Sequence, residues 1–186
     1  MLEGEIVGLR AIEPDDLESL RGWRNRPELR RYFREHRELC HANQEAWYER
    51  VLADHRTFMF AIVDLRDGSP LVGAAGICYI DWLRRSGELS LYVGAGGVYI
   101  DDRLAPDALG VLLRYGFGEL GLHRLWTEVY DFDESKARLY ESVGFSLEGR
   151  HRDNHFADGR WHDSLFYGIL AAEYASTNAT ATDDSP

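Results

Sequence analysis

The segment Arg124 to Phe145, RLWTEVYDFDESKARLYESVGF, constrains this chain more than any other. Leu125, Trp126, Thr127, Val129 and Tyr130 are β-formers, which predicts a strand over Arg124–Tyr130. Asp131 and Asp133 favour turns and helix caps. The spacing then predicts a helix from Glu134 to Val143, with Ala137, Tyr140 and Val143 on one side beside Leu139. Gly144 stops it, because glycine readily takes the left-handed backbone that closes many helices.

The preceding segments read as further strands and helices. Glu5–Ile12 alternates as a first strand. Pro14-Asp15-Asp16 opens a helix with Leu17, Leu20 and Trp23 at helical spacing. It ends at Asn25-Arg26, since the residue ahead of Pro27 disfavours helix. Leu29–His41 is polar and basic, with Tyr32 and Phe33 as apolar anchors. Asn43 is the expected cap of a helix over Gln44–Ala53, with Ala46, Trp47 and Val51 inward. Thr57–Leu65 and Leu71–Trp82 form a predicted hairpin about Asp67-Gly68, and Ser86–Val93 is the next strand. A helix is expected from Pro106 to Leu120, with proline in its first turn. Ser146–Phe156 and Arg160–Leu170 are the arms of a last hairpin.

A chain of 186 residues is expected to form one domain, here residues 1–175, followed by a disordered Thr/Ala/Asp-rich tail over 176–186. The net charge of −11 opposes nucleic-acid binding, which rests on Lys and Arg neutralising phosphates. Cys40 and Cys78 lie in no CxxC pair, and neither a disulfide framework nor a metal site is expected. Met1–Arg10 is unlike a signal peptide and no apolar run reaches membrane-spanning length. A cytoplasmic protein is the expectation.

The run Asp133-Glu-Ser-Lys-Ala-Arg-Leu139-Tyr140-Glu-Ser-Val-Gly144-Phe145 closely resembles the C-terminal motif of the GNAT superfamily of N-acyltransferases. Tyr115-Gly-Phe…Leu122-His123-Arg124 and the final hairpin are similar to the ribosomal-protein and polyamine acetyltransferase branch, and Trp23-Arg24-Asn25 resembles a motif of many members. The resemblance covers roughly residues 5–172. It implies an α/β (α+β) GNAT fold: a mixed, mostly antiparallel sheet of about seven strands flanked by about four helices. It also implies direct transfer of an acetyl group from acetyl-CoA, as co-substrate, to a primary amine of a small molecule or a protein N-terminus. Tyr140 is then the expected acid and Glu88 the base. Backbone at Leu91, Tyr92 and Val93 would pair with the pantetheine arm, in the manner of an added strand. Arg103, Leu104, Ala105, Asp133 and Lys136 would complete the donor site. Trp23, Arg24, Asn25, Phe33 and His155 would border the acceptor. By analogy with relatives, a homodimer is implied.

One loop departs from the family pattern. The glycine positions of the pyrophosphate loop fall on Asp101 and Arg103, with Asp102 between them and Asp107 in the first helical turn. A carboxylate roughly 5 Å from a phosphate charge costs about 1 kcal/mol in water-like dielectric and about 3 near an effective value of 20. Asp107 is expected to satisfy the helix dipole that a phosphate uses. Gly94–Gly97 could supply permissive backbone instead. The alternative reading is a degenerate GNAT domain that binds or regulates without ordinary use of acetyl-CoA, or catalyses a different reaction.

Overall fold

The computed structural model describes residues 1–182. Eight strands form one sheet: β1 (Leu2–Glu3), β2 (Val7–Ala11), β3 (Phe58–Asp64), β4 (Leu71–Asp81), β5 (Ser86–Val93), β6 (Arg124–Tyr130), β7 (Ser146–Ala157) and β8 (Arg160–Leu170). Their order is β1-β2-β3-β4-β5-β6-β8-β7. Every neighbouring pair is antiparallel except β5 and β6. A parallel pair needs a crossover, and the helix α4 (Leu104–Arg114) supplies it. The other helices are α1 (Leu17–Asn25), α2 (Pro27–Arg30), α3 (His41–Ala53), α5 (Glu134–Ser142) and α6 (Ala171–Thr182).

Side-chain alternation along the strands builds two apolar layers. Leu9, Ile62, Ala75, Leu91 and Val93 face α4, whose Leu109, Leu112 and Leu113 are fully buried. Ala61, Ala74 and Tyr92 face the opposite way and pack against Leu20 and Trp23 of α1. Each buried leucine contributes about 1.5–3 kcal/mol relative to exposure, so the sheet is clamped from both sides.

Several boundaries differ from the sequence expectations. The strand Leu2–Glu3 was not anticipated, since two residues carry no period. Helix α3 begins at His41 rather than Gln44, because Cys40 and Asn43 cap each other's backbone. Its fully buried residue is Gln44; Trp47 packs against the core as expected, whereas Ala46 is exposed. The crossover helix starts at Leu104, ahead of Pro106, and ends at Arg114 in a wider π-type turn over Tyr115–Glu119. The expected disordered tail is helical over residues 176–182, within α6; residues 183–186 of that expectation lie outside the described residues. Five alanines give α6 helix propensity, and Tyr174 packs its ring 5.1 Å from that of Phe117.

Candidate active site

The sheet opens where its two parallel strands meet. Ser86, Gly87 and Glu88 pair with Arg124, Leu125 and Trp126, and the pairing stops there. Beyond that point β5 stays with β4 and β6 stays with β8, leaving a V-shaped split. The peptide groups of Leu89, Leu91 and Val93 face the split, since strand backbone alternates and Gly94 donates to Val72 on the β4 side. The Leu89 carbonyl accepts from the Thr127 hydroxyl at 3.3 Å, and the Val93 N–H donates to the Tyr99 carbonyl at 2.9 Å. Between them the Leu91 peptide is the open edge of β5.

Tyr140 of α5 packs in the core near Glu88 and Asp133, and it does not line the cleft that opens in front of the split. It is fully buried, and its hydroxyl has no hydrogen-bond partner. The neighbouring Thr127 hydroxyl is turned to Leu89 instead. Burial pushes the Tyr140 phenol far above its ordinary pKa; the nearby Thr127 hydroxyl opposes this, and the charges of Glu88 and Asp133 add to it. The group therefore stays protonated near neutral pH.

A cleft of about 940 Å³ opens in front of this split, bounded by α1, α3, β5 and the connection between α2 and α3. Glu88 is 6% exposed and lines it. It is not a free carboxylate: Arg34 donates to both its oxygens, and also to Glu128 at 2.8 Å. Burial opposes the Arg34 charge, but the hydrogen bonds and charge of Glu88 and Glu128 outweigh it and raise its pKa. Burial likewise acts to raise Glu128, yet Ser164 and Arg34 hold it below the usual carboxylate value. Cys78 also lines the cleft, but burial pushes its thiol up to about 12, which disfavours a thiolate nucleophile.

The connection between α2 and α3 lies over the cleft, held at several points. Arg31 pairs with Asp158 at 2.8 Å and sits over the Phe132 ring. Tyr32 stacks on Tyr99 with ring centroids 4.2 Å apart. Asn25 donates to the Leu39 carbonyl and accepts from its N–H, both at 2.8 Å.

Of the expected donor-site residues, Leu91, Tyr92, Asp133 and Lys136 line the cleft. Asp133 caps α5 through the Lys136 N–H at 3.1 Å. Burial raises the Asp133 carboxyl and lowers the Lys136 ammonium. Val93, Arg103, Leu104 and Ala105 lie away from the cleft; Arg103 is exposed beside the start of α4. The helix N-terminus there is already occupied. Asp101 accepts from the N–H groups of Leu104 at 3.1 Å and Ala105 at 2.8 Å. Asp107, expected in that role, turns instead to the N–H groups of Glu5, Ile6 and Val7, because the tight β1–β2 turn leaves three donors converging on it. Gly96 and Gly97 both have positive φ, and a second cavity of about 210 Å³ touches Gly97, Tyr99, Asp133 and Ser135.

On the acceptor side, Arg24 and Phe33 line the cleft. Trp23 and Asn25 do not. The Trp23 indole packs where a Cβ on Gly94 would collide, and Asn25 is spent on Leu39, so both hold backbone rather than face the opening. His155 is on the far side of Tyr130, stacked on it at 3.8 Å, and does not line the cleft. Sequence reasoning missed Arg34, Gln44 and Glu128. The basic run around Arg34 was visible, but its carboxylate partners are 54 and 94 residues away.

The model of the Acetyltransferase (GNAT) domain matches residues 7–146. A SPbeta prophage-derived N-acetyltransferase of Bacillus subtilis is 28% identical over 174 residues, covering 92% of this chain and 93% of the relative. The spermidine N-acetyltransferase of Vibrio cholerae, solved with CoA and spermine, superposes with a TM-score of 0.83 at 25% identity, covering 91% of this chain and 98% of that one. A dodecameric structure of that enzyme gives 0.77 at 25% identity, covering 92% and 97%.

Proposed function

The chain belongs to the GNAT acetyltransferase family, and from that premise we propose that its cleft acetylates the primary amine of a small molecule, with acetyl-CoA as donor. The observation that carries this is the split between β5 and β6. It pairs an open backbone edge at Leu91 with a buried, unpartnered Tyr140 hydroxyl.

The chain's own residues divide the work. The Leu91 N–H is a donor for an acyl carbonyl and for the negative charge that develops there. Tyr140 holds a proton for the departing sulfur, and Glu88 takes the proton from the amine once Arg34 yields. The buried Cys78 thiol argues for direct attack rather than an acyl-enzyme. At the diphosphate end the fit is poorer, because Asp101 already takes the Leu104 and Ala105 donors. The positive-φ pair Gly96-Gly97 beside the smaller cavity is the alternative cradle. The acidic loop thus weakens donor binding without removing the acyl site.

A protein N-terminus is the other acceptor class within this reading. A cytoplasmic location belongs to it too; among the described residues no helix is long and apolar enough to cross a membrane. So does a homodimer, for which the exposed Phe156 and Trp161 on the β7–β8 hairpin offer an apolar face.

Thiol release from acetyl-CoA, measured over a panel of amines and an N-terminal peptide, tests the proposal. Turnover with a small amine is the expected result. Absence of turnover with every acceptor at saturating donor refutes it.

A further inference from the structure

The two ends of the cleft differ in what their polar groups lack. Near the split the carboxylates are engaged: Glu88 and Glu128 by Arg34, and Asp133 by the Lys136 N–H. At the α1–α3 end it is donors that are left over. Gln44 is 3% exposed and lines the cleft, yet its Nε2 is buried with no partner. The Nε of Arg24, also lining the cleft, is buried and unpartnered in the same way. The Arg24 guanidinium stands 5.2 Å from the Phe33 ring centroid, and no carboxylate pairs with it among the described residues. Arg50, another lining residue, has no ion pair there either. The two lining carboxylates nearby are committed elsewhere: Asp54 accepts from the Arg56 N–H at 2.8 Å, and Glu35 pairs with Arg37 at 2.6 Å.

Folded proteins seldom leave buried N–H groups unpaired, and two in one cleft point to a ligand that brings the missing acceptors. The Arg24 orphan is a charged donor, and the Gln44 amide, fixed by no hydrogen bond of its own, can turn its N–H to the same ligand. A carboxylate matches that pair, since guanidinium–carboxylate hydrogen bonds are charge-assisted. A polycation does not match the Arg24 charge. We propose that the α1–α3 end of the cleft binds a carboxylate of the acceptor, so the substrate is an amine that also bears a carboxylate, with an apolar body lying along Phe33 and Trp47. This inference rests on the N-acetyltransferase reading for the amine, but the carboxylate site itself can be tested without it.

Two measurements do so. The first compares KM for phenylalanine, phenethylamine and spermidine. The carboxylated amine should have a KM at least tenfold lower, and Arg24→Gln should abolish that preference. The second is calorimetry with 3-phenylpropanoate, which has the carboxylate and no amine. It should bind the native protein and lose at least tenfold in affinity in both Arg24→Gln and Gln44→Leu. The latter replaces an unpartnered buried amide with an apolar group of similar size, so its folding is secure. Equal KM values, or unchanged binding in both variants, overturns the proposal and leaves the orphan donors holding water only. Arg24-dependent binding of 3-phenylpropanoate with no acetylation of any amine would keep the site and refute the N-acetyltransferase reading.

Discussion

Arg34 spans the mouth of the split and donates to both carboxylate oxygens of Glu88, from a segment 54 residues earlier in the chain. The pair lies in the same cleft as the Leu91 edge of β5. It also neutralises Glu88, the base of the proposed reaction. Arg34→Ala should therefore lower stability while improving the affinity of cationic amines. The destabilisation is expected at about 1–2 kcal/mol, below the range for a fully buried pair because the Arg34 side chain is 47% exposed. Thermal melts and KM for spermidine, set against the native protein, check both halves. A stable variant with unchanged KM would mean that Arg34 does not compete with the amine for Glu88.

Tyr140→Phe separates chemistry from packing. The hydroxyl is buried without a partner, so its removal should leave the melting temperature unchanged or slightly raised. Turnover should drop about 100-fold, the lower end expected for loss of a general acid. Single-turnover thiol release on the folded variant measures this. Native turnover would exclude Tyr140 as the acid.

Asp101→Gly tests the occupied helix terminus. It removes the acceptor of the Leu104 and Ala105 N–H groups, which should cost about 1 kcal/mol of stability, as for other helix caps. It should also tighten CoA binding about tenfold by freeing those donors and removing a like charge. Calorimetry with free CoA is the check. Unchanged affinity would mean that the diphosphate lies along Gly96-Gly97 instead.

His155 gives the protein a pH dependence of stability. Burial lowers its pKa from an ordinary 6.5; the charge of His162 adds to this and Glu128 opposes it. The folded state thus disfavours the protonated imidazole, so below pH 6.5 the unfolded chain binds the extra proton. Its contribution is fully present above that pH and is lost as pH falls through the folded value. His155→Phe keeps the ring stacked on Tyr130 and should flatten the melting-temperature profile between pH 5 and 7. An unchanged profile would place the dependence on other groups.

Much of the sheet was legible in the sequence. Arg124–Tyr130 is rich in β-formers, Ser86–Val93 ends in the apolar run Leu91-Tyr92-Val93, and the structure keeps both boundaries. Helix starts were less legible. Cys40 and Asn43 form a reciprocal cap that no common residue pattern announces, and that cap turns Gln44 inward.

Local pattern therefore determined which segments are strands and helices, and the motif around Leu139-Tyr140 and Gly144-Phe145 determined the family. These are short-range properties, written in side-chain period and turn chemistry. The working state of the site came only with the tertiary structure. Whether Glu88 is free or bound depends on Arg34; whether α4 presents its N–H groups depends on Asp101; and whether Arg24 and Gln44 find partners depends on two helices meeting across one cleft. Burial and pairing between distant segments set those outcomes, and neither is encoded in any window of residues.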